Sequence, residues 1–557
     1  MNKSCEKYIP FEPIPLSDRT WPDKRITAAP VWCSVDLRDG NQALIDPMSV
    51  TEKLELFHTL VDIGVKEIEV GFPSASETEY EFLRALIDGG HIPDDVTIQV
   101  LVQAREHLIK KTFEAIEGAK HVIFHFYNST STLQRKVVFH TDMAGVTKIA
   151  VDAAKLIREL SQPAIAAGMD LRYEYSPESF MGTEMDNAVD ICQAVIEALG
   201  STPDNKVILN LPTTVENCLP NYFADEIEYF IRKLPSRDCA VISLHPHNDR
   251  GTGVATAELG LLAGAERVEA TLFGNGERTG NVDLVTLALN MHTQGVDSGL
   301  DFSHITEVRH VYEKVTKMKV DPRQPYAGDL VFTAFSGSHQ DAISKGVAYM
   351  KESRSPFWEI PYLPIDPADV GRDYEPIIRI NSQSGKGGAA FVLQSFGYEL
   401  PKAMHPEFGH IVQVETDRVG KELPAEHVLE LFKTNYIDAT HPYELLEYAF
   451  TDQAHQVTFS GTLRHKDTVF QVSGAGNGPI DAFFTAIHGQ KMDRFTFVDY
   501  KEHAITKGSD SLAVAYIHLK DQLGKDVFGV GISPNINLAP LKGILSAINR
   551  SVTQDRR

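Results

Sequence analysis

Cysteine is scarce in this sequence: Cys5, Cys33, Cys192, Cys218 and Cys239 are the only five in 557 residues, and none forms a CxxC pair. A sparse, odd, scattered set excludes a disulfide framework and a cysteine-ligated zinc site, and is the usage of reduced thiols in a cytoplasmic protein. Positive charge is also short. Lys and Arg number 53 against 76 Asp and Glu, a formal net charge of −23. That argues against nucleic acid or an anionic membrane as a partner, while leaving room for a local basic pocket. No run approaches about eighteen uninterrupted apolar residues, so no membrane span is expected. The first 28 residues lack the apolar run of a signal peptide and are broken by Pro10, Pro13, Pro15 and Pro22. What remains is ordinary globular composition, 43% hydrophobic and 23% charged, in a chain long enough for about two to four folding units.

From about residue 31 a rhythm sets in of a short β-rich run, a polar turn and a longer stretch with helical periodicity. The runs are VWCSVDL (31–37), KEIEVG (66–71), VTIQVLV (96–102), HVIFHFY (121–127), LRYEYS (171–176), KVILNL (206–211), AVISLH (240–245) and RVEATLF (267–273). Helical candidates follow at about 49–63, 77–89, 104–118, 143–160, 183–199, 219–234, 251–264 and 282–291. Eight such units predict a (β/α)₈ TIM barrel, with chemistry just after the strand ends. A doubly wound open sheet is the alternative, but the first strand runs into DLRDGNQ, with one glycine where a dinucleotide-binding turn has three.

The expected organisation is an N-terminal extension (1–30), the barrel (31–320), linker subdomains (321–435) and a C-terminal α+β domain (436–557). The linker region carries a proline-rich block at 357–376 and the glycine cluster SGKGG at 384–388, with helices expected at 339–351 and 424–434. SGKGG lacks P-loop spacing, and GAGNGP (474–479) lacks the dinucleotide fingerprint; each reads as a sharp turn or an anion-accepting nest. In the last domain QVTFSGTLR, TVFQVSG and FTFVDYK read as strands, and DAFFTAI and LKGILSAI as helices, suggesting a duplicated β-β-β-α unit.

The chemistry concentrates in HPHND (245–249), at the end of the seventh run. Period-two alternation puts His245 and His247 on one face, where two imidazoles can chelate a divalent metal. Asp39, after the first strand, is the accompanying carboxylate, and Asn281 in FGNGERTGN offers a further oxygen or is a turn residue. Imidazole and oxygen ligands with open positions suit Mg²⁺, Mn²⁺ or Zn²⁺. Arg38 reads either as a surface ion pair or as a cation that stabilises a developing oxyanion. His125, Glu174, Glu178, Thr213 and Thr214 are further polar residues at strand ends; Glu174 reads equally as a site residue and as a hydrogen-bonded barrel carboxylate.

DLRDGNQ, HPHND, FGNGERTGN, NSQSGKGG and GAGNGPIDAF together resemble the 2-isopropylmalate synthase family, within the metal-dependent Claisen-condensing and aldol-cleaving barrels, from about residue 20 to the C-terminus. The resemblance implies Asp39, His245, His247 and Asn281 as metal ligands, with K⁺ as a candidate activator. It implies acetyl-CoA and 2-oxoisovalerate as substrates, with Arg38 at the reacting carbonyl. Glu174, His125 and Thr214 would line the keto-acid pocket, with Gln42 and Glu277 nearby. His339 and Tyr362 resemble a pair that a partner subunit contributes to the site of a homodimer, with His339 the leading general base. The C-terminal domain would bind leucine as inhibitor, with Gly474, Gly476, Asn477 and Gly478 as a candidate regulatory loop. Asn41 stands where the common strand-one pattern has Glu. The competing readings are a homocitrate or citramalate synthase and a non-catalytic amino-acid-binding protein.

Overall fold

The computed structural model describes residues 4–334, 336–374, 385–419, 423–437, 439–453, 456–488, 494–505 and 511–554. Residues 381–384 of NSQSGKGG and 375–376 of the proline-rich block lie outside them. The chain divides into two units, one of Met1–Val331 with Ile365–Asp373, the other of Phe332–Pro364 with Tyr374–Arg557.

The first unit holds eight parallel strands in chain order, closed by pairing of the first with the last. They are β1 (Val31–Ser34), β2 (Glu67–Gly71), β3 (Thr97–Gln103), β4 (His121–Ser129), β5 (Asp170–Glu178), β6 (Val207–Thr213), β7 (Ala240–Pro246) and β8 (Arg267–Ala270). Each of the eight β-rich runs between residues 31 and 273 became a strand of this barrel. The intervening helices lie on the outside. Val50–Asp62 starts with a capping box, Ser49 and Glu52 each taking the other's backbone N–H, and buries Lys53, Leu56, Phe57 and Leu60 at helical spacing. Lys53 is the unexpected member of that stripe: its ammonium pairs with Glu79 and donates to the Leu37 carbonyl at 3.2 Å, tying this helix to the turn after β1.

The helix Pro220–Lys233 carries its acids on a covered face. Arg19 forks onto Asp225 at 2.8 and 2.7 Å, and the Thr20 and Trp21 backbone donates to Glu228, so the N-terminal segment is fastened to the barrel by charge. Glu226, between them, is buried with its Oε2 unpartnered among the described residues.

In the second unit the helix Gly337–Ser353 precedes a helical subdomain comprising Gly385–Ser395, His405–Val419 and Ala425–Phe432. Two antiparallel sheets follow: β9 (Tyr443–Gln453), β10 (Gln456–His465) and β11 (Thr468–Gly476), then β12 (Thr496–Ala504), β13 (Ala513–Lys520) and β14 (Asp526–Ser533). Helices Pro479–Ile487 and Leu538–Gln554 follow the respective sheets, so the β-β-β-α unit is present twice. A Cβ on Gly474 would lie 2.3 Å from the Ala486 nitrogen, and one on Gly529 the same distance from that of Ala547. Each helix thus lies directly on the backbone of its third strand, which explains Gly474 and Gly476 of GAGNGP. Among the described residues no helix is long and apolar enough to cross a membrane.

Burial pushes the Glu226 carboxyl up to about 8, with Asp225 adding to the effect. The unfolded chain releases this proton near the ordinary carboxylate value, so the stability tied to Glu226 is complete at acid pH and is lost as pH rises through about 8. Glu226→Gln is therefore expected to raise the melting temperature at pH 8.5 and to change it little at pH 5, read by circular dichroism; equal effects at both pH values would refute the assignment.

Candidate active site at the barrel mouth

The chain leaves β1 in one wide helical turn, Asp36–Gly40, that holds DLRDG. Asp36 anchors it: its carboxylate takes the Leu272 N–H at 3.0 Å and the Ser34 hydroxyl at 2.8 Å, locking the turn to the end of β8. Arg38 and Asp39 are thereby presented at the barrel mouth.

There Asp39 Oδ2 lies 3.1 Å from His245 Nε2 and 3.7 Å from His247 Nε2, and accepts from Asn281 Nδ2 at 2.8 Å. His247 is held by its backbone N–H to Thr213 Oγ1 at 2.9 Å. All four side chains are buried. Gly276 makes room for Asn281, since a Cβ there would sit 1.8 Å from Asn281 Oδ1. The four residues that the sequence reading grouped around a metal do converge on one point.

The donor set suits a cation. His245 Nδ1 lies 2.7 Å from Glu269 Oε2, so a proton placed there leaves the Nε2 lone pair facing an Asp39 oxygen. Two acceptors at 3.1 Å repel unless a proton or cation lies with them. Asn281 Oδ1 and His247 Nδ1 are buried without partners among the described residues. Burial pulls His245 down, but its hydrogen bonds to Asp39 and Glu269 prevail and push it up to about 9; burial and the neighbouring His245 charge bring His247 down to about 4. Burial alone would raise Asp39, yet Arg38 and the two histidines hold it well below the carboxylate range. A metal-free site thus keeps one proton, on His245, where a divalent ion would otherwise supply the charge.

Arg38 contacts Asp39 Oδ1 through Nη1 at 3.0 Å and Glu69 through Nε. Burial disfavours its charge, but these two carboxylates keep it protonated. A cavity of about 370 Å³ opens above, lined by Arg38, Asp39, Gln42, His125, Thr214, His245, His247 and Glu277 among others. Gln42 Nε2 donates to Glu277 at 2.9 Å, and Thr214 Oγ1 accepts the Ser179 N–H at 2.8 Å. His125 bridges Glu69 and Ser176, at 2.7 Å on each side.

Glu174 is placed differently from the expectation. It is fully buried inside the barrel, 3.3 Å from Arg267 and 3.4 Å from His125, and does not line the cavity. Burial, together with Glu269 and Glu69, outweighs Arg267 and raises its carboxyl well above the usual range, so it stays protonated. The carboxylate of β5 that does line the cavity is Glu178, four residues on, which accepts from Ser129. Period-two alternation puts both acids on the inward face; depth along the strand separates them. Glu69, Gln99 and Glu269 hold the mouth from below, and the sequence carries no signal for them, because an inward polar residue in a hydrophobic run looks like any other strand polar residue.

Glu69, His125 and Glu269 form a second cluster with ligand atoms within 4.8 Å of one another. Its acceptors already serve Gln99, Arg38, Arg267 and His245. It is therefore a structural knot. His339 and Tyr362 lie in the second unit, stacked with centroids 4.0 Å apart, and are not among the residues lining this cavity. Gly474 and Gly476 end β11, Gly478 caps the next helix, and the Asn477 N–H is taken by Asp481 at 2.9 Å.

Residues 29–311 match the HMGL-like family model, 329–394 the alpha-isopropylmalate synthase post-catalytic domain-like model, and 422–552 the LeuA allosteric (dimerisation) domain model. The last match supports a homodimer. Among curated relatives, proteins named 2-isopropylmalate synthase from Clostridium acetobutylicum and Brucella suis are each 53% identical, covering 98% of this chain and 99% of their own. One from Rhodospirillum rubrum is 53% identical over 98% of both chains. With three family models matched along the chain and full-length identity above one half, this chain belongs to the 2-isopropylmalate synthase family.

Proposed function

We propose that the protein condenses acetyl-CoA with 2-oxoisovalerate and hydrolyses the thioester, giving 2-isopropylmalate and CoA, with leucine inhibiting through the C-terminal domain. The observation that carries this reading is the convergence of Asp39, His245, His247 and Arg38 on one buried point at the mouth of the barrel. The names of the full-length relatives supply the product, 2-isopropylmalate.

In this reading Asp39, His245, His247 and Asn281 hold the divalent cation, Mg²⁺ first and Mn²⁺ or Zn²⁺ as alternatives, with K⁺ as a candidate activator. A divalent cation at such a site supplies Lewis acidity toward a keto oxygen. Arg38, clamped by Asp39 and Glu69, keeps a fixed positive charge beside the oxygen that becomes an alkoxide. Gln42, His125 and Thr214 orient the keto acid, and Glu178 takes the place in the lining expected of Glu174.

A base removes a methyl proton of acetyl-CoA, and the electron pair released forms the new C–C bond to the keto carbon. Water then cleaves the C–S bond and CoA leaves as the thiol. His339 is the assigned base, and Tyr362, stacked on it, orients the proton donor. Both are contributed by the partner subunit of the homodimer. Glu178 serves the hydrolytic water.

The test is CoA release after stringent chelation. Turnover with 2-oxoisovalerate is expected to vanish, to return with Mg²⁺, Mn²⁺ or Zn²⁺, to exceed that with 2-oxoglutarate or pyruvate, and to fall when leucine is added; full turnover without metal would sink the reading. His339→Gln is expected to abolish solvent exchange of the acetyl methyl protons. Glu178→Gln should retain that exchange while lowering CoA release about 100-fold, and the reverse pattern would exchange the two roles. Because a metal displaces the His245 proton, Mn²⁺ affinity measured by calorimetry should strengthen about tenfold per pH unit between pH 6 and 8.

A further inference from the structure

Below the mouth, Gln99 of β3 is fully buried, and its carboxamide meets three charged partners. Nε2 donates to Glu69 Oε2 and to Glu269 Oε1, each at 2.7 Å, while Oε1 accepts from Arg267 Nη2, also at 2.7 Å. The amide cannot be flipped, because its oxygen would then face two carboxylates. Nor can it be shared further: Gln99 Nε2 also lies 3.2 Å from His125 Nδ1, but that nitrogen is 2.7 Å from Glu69 and donates there.

The two carboxylates it bridges have distinct clients. Glu69 holds Arg38 and His125, the groups assigned to the keto acid. Glu269 holds His245 Nδ1 and thereby sets which ring nitrogen faces Asp39. A charged residue at 99 could not do this: a third acid would repel both glutamates, and a lysine would neutralise them and release their clients. A neutral group with two N–H donors and one acceptor joins the pair without changing the charge.

We infer that Gln99 is a positioning residue that couples the metal-binding histidine to the substrate-binding arginine, through a buried Glu69–Gln99–Glu269 bridge across the barrel interior. The inference rests on the metal reading of the mouth. It predicts that loss of the carboxamide loosens both halves of the site at once, although Gln99 lines no part of the cavity.

The experiment uses the full-length protein stripped of metal, with Mn²⁺ binding followed by calorimetry and, in the reloaded enzyme, kcat and KM for 2-oxoisovalerate. Gln99→Met, close in volume, is expected to weaken Mn²⁺ binding about tenfold and to raise KM by a similar factor. Gln99→Glu, which restores hydrogen-bonding atoms but not the neutral double donor, is expected not to rescue either. Unchanged Mn²⁺ affinity and KM with a lowered melting temperature would reduce Gln99 to a structural role and overturn the inference, as would failure of both variants to fold. Wild-type protein that binds no Mn²⁺ would instead overturn the metal reading itself.

Discussion

The inside of this barrel is charged, and the need to neutralise that charge in place organises everything above it. Glu67, Glu69 and Glu269 are buried and ionised, with Arg267 fully buried among them. An unpaired charge at such depth costs of the order of several kcal/mol. Arg267 answers Glu67 at 2.7 Å and Glu269 at 3.1 Å, Arg172 reaches Glu67 from the rim at 2.8 Å, and Arg38 closes the series at Glu69. Adding Asp39 makes four ionised carboxylates facing three guanidinium groups. The unmatched negative charge lies at the mouth, between Asp39 and His245, where a proton or a divalent cation completes the balance.

The same network decides geometry. His245 spends Nδ1 on the buried Glu269, so its Nε2 is committed to the mouth, while His125 is fixed between Glu69 and Ser176. Arg38 is held at two points and Asp36 pins the turn that carries it, leaving little freedom to be lost when a substrate arrives. Glu174 shows the opposite treatment. Burial, with Glu269 and Glu69 close by, outweighs Arg267 and holds its carboxyl well above the usual range, so it fills the interior as a neutral group.

The second unit is built on packing instead. Its two β-β-β-α repeats share a device, a Gly-x-Gly pair on the third strand that brings helix backbone onto strand backbone: Gly474 and Gly476 in the first repeat, Gly529 and Gly531 in the second. Phe459, Phe483, Leu519, Ile544 and Ile548 fill one apolar core drawn from both repeats. The helical subdomain packs its own core, with Phe408, Phe432 and Tyr436, against Tyr516 and Phe528 of the second sheet.

Much of this was legible in one dimension. Eight apolar runs at regular spacing, each followed by a helical period, specify a barrel because strand and helix each bury one face and leave few other ways to do so. The spacing of His245 and His247 alone places them on one side of the chain as it leaves β7. The first strand of the C-terminal domain, Tyr443–Gln453, was not legible, since its alternation is blurred by exposed apolar residues such as Leu446. Nor could sequence alone separate Glu174 from Glu178, or reveal that Glu69, Gln99 and Glu269 meet. Those residues lie on strands far apart in the chain, and what each does depends on depth and on neighbours that closure of the barrel supplies. Local periodicity determined the elements and the faces their side chains share; charge state, tautomer and partnership were decided by tertiary structure, because they are set by desolvation and by atoms brought from elsewhere in the chain.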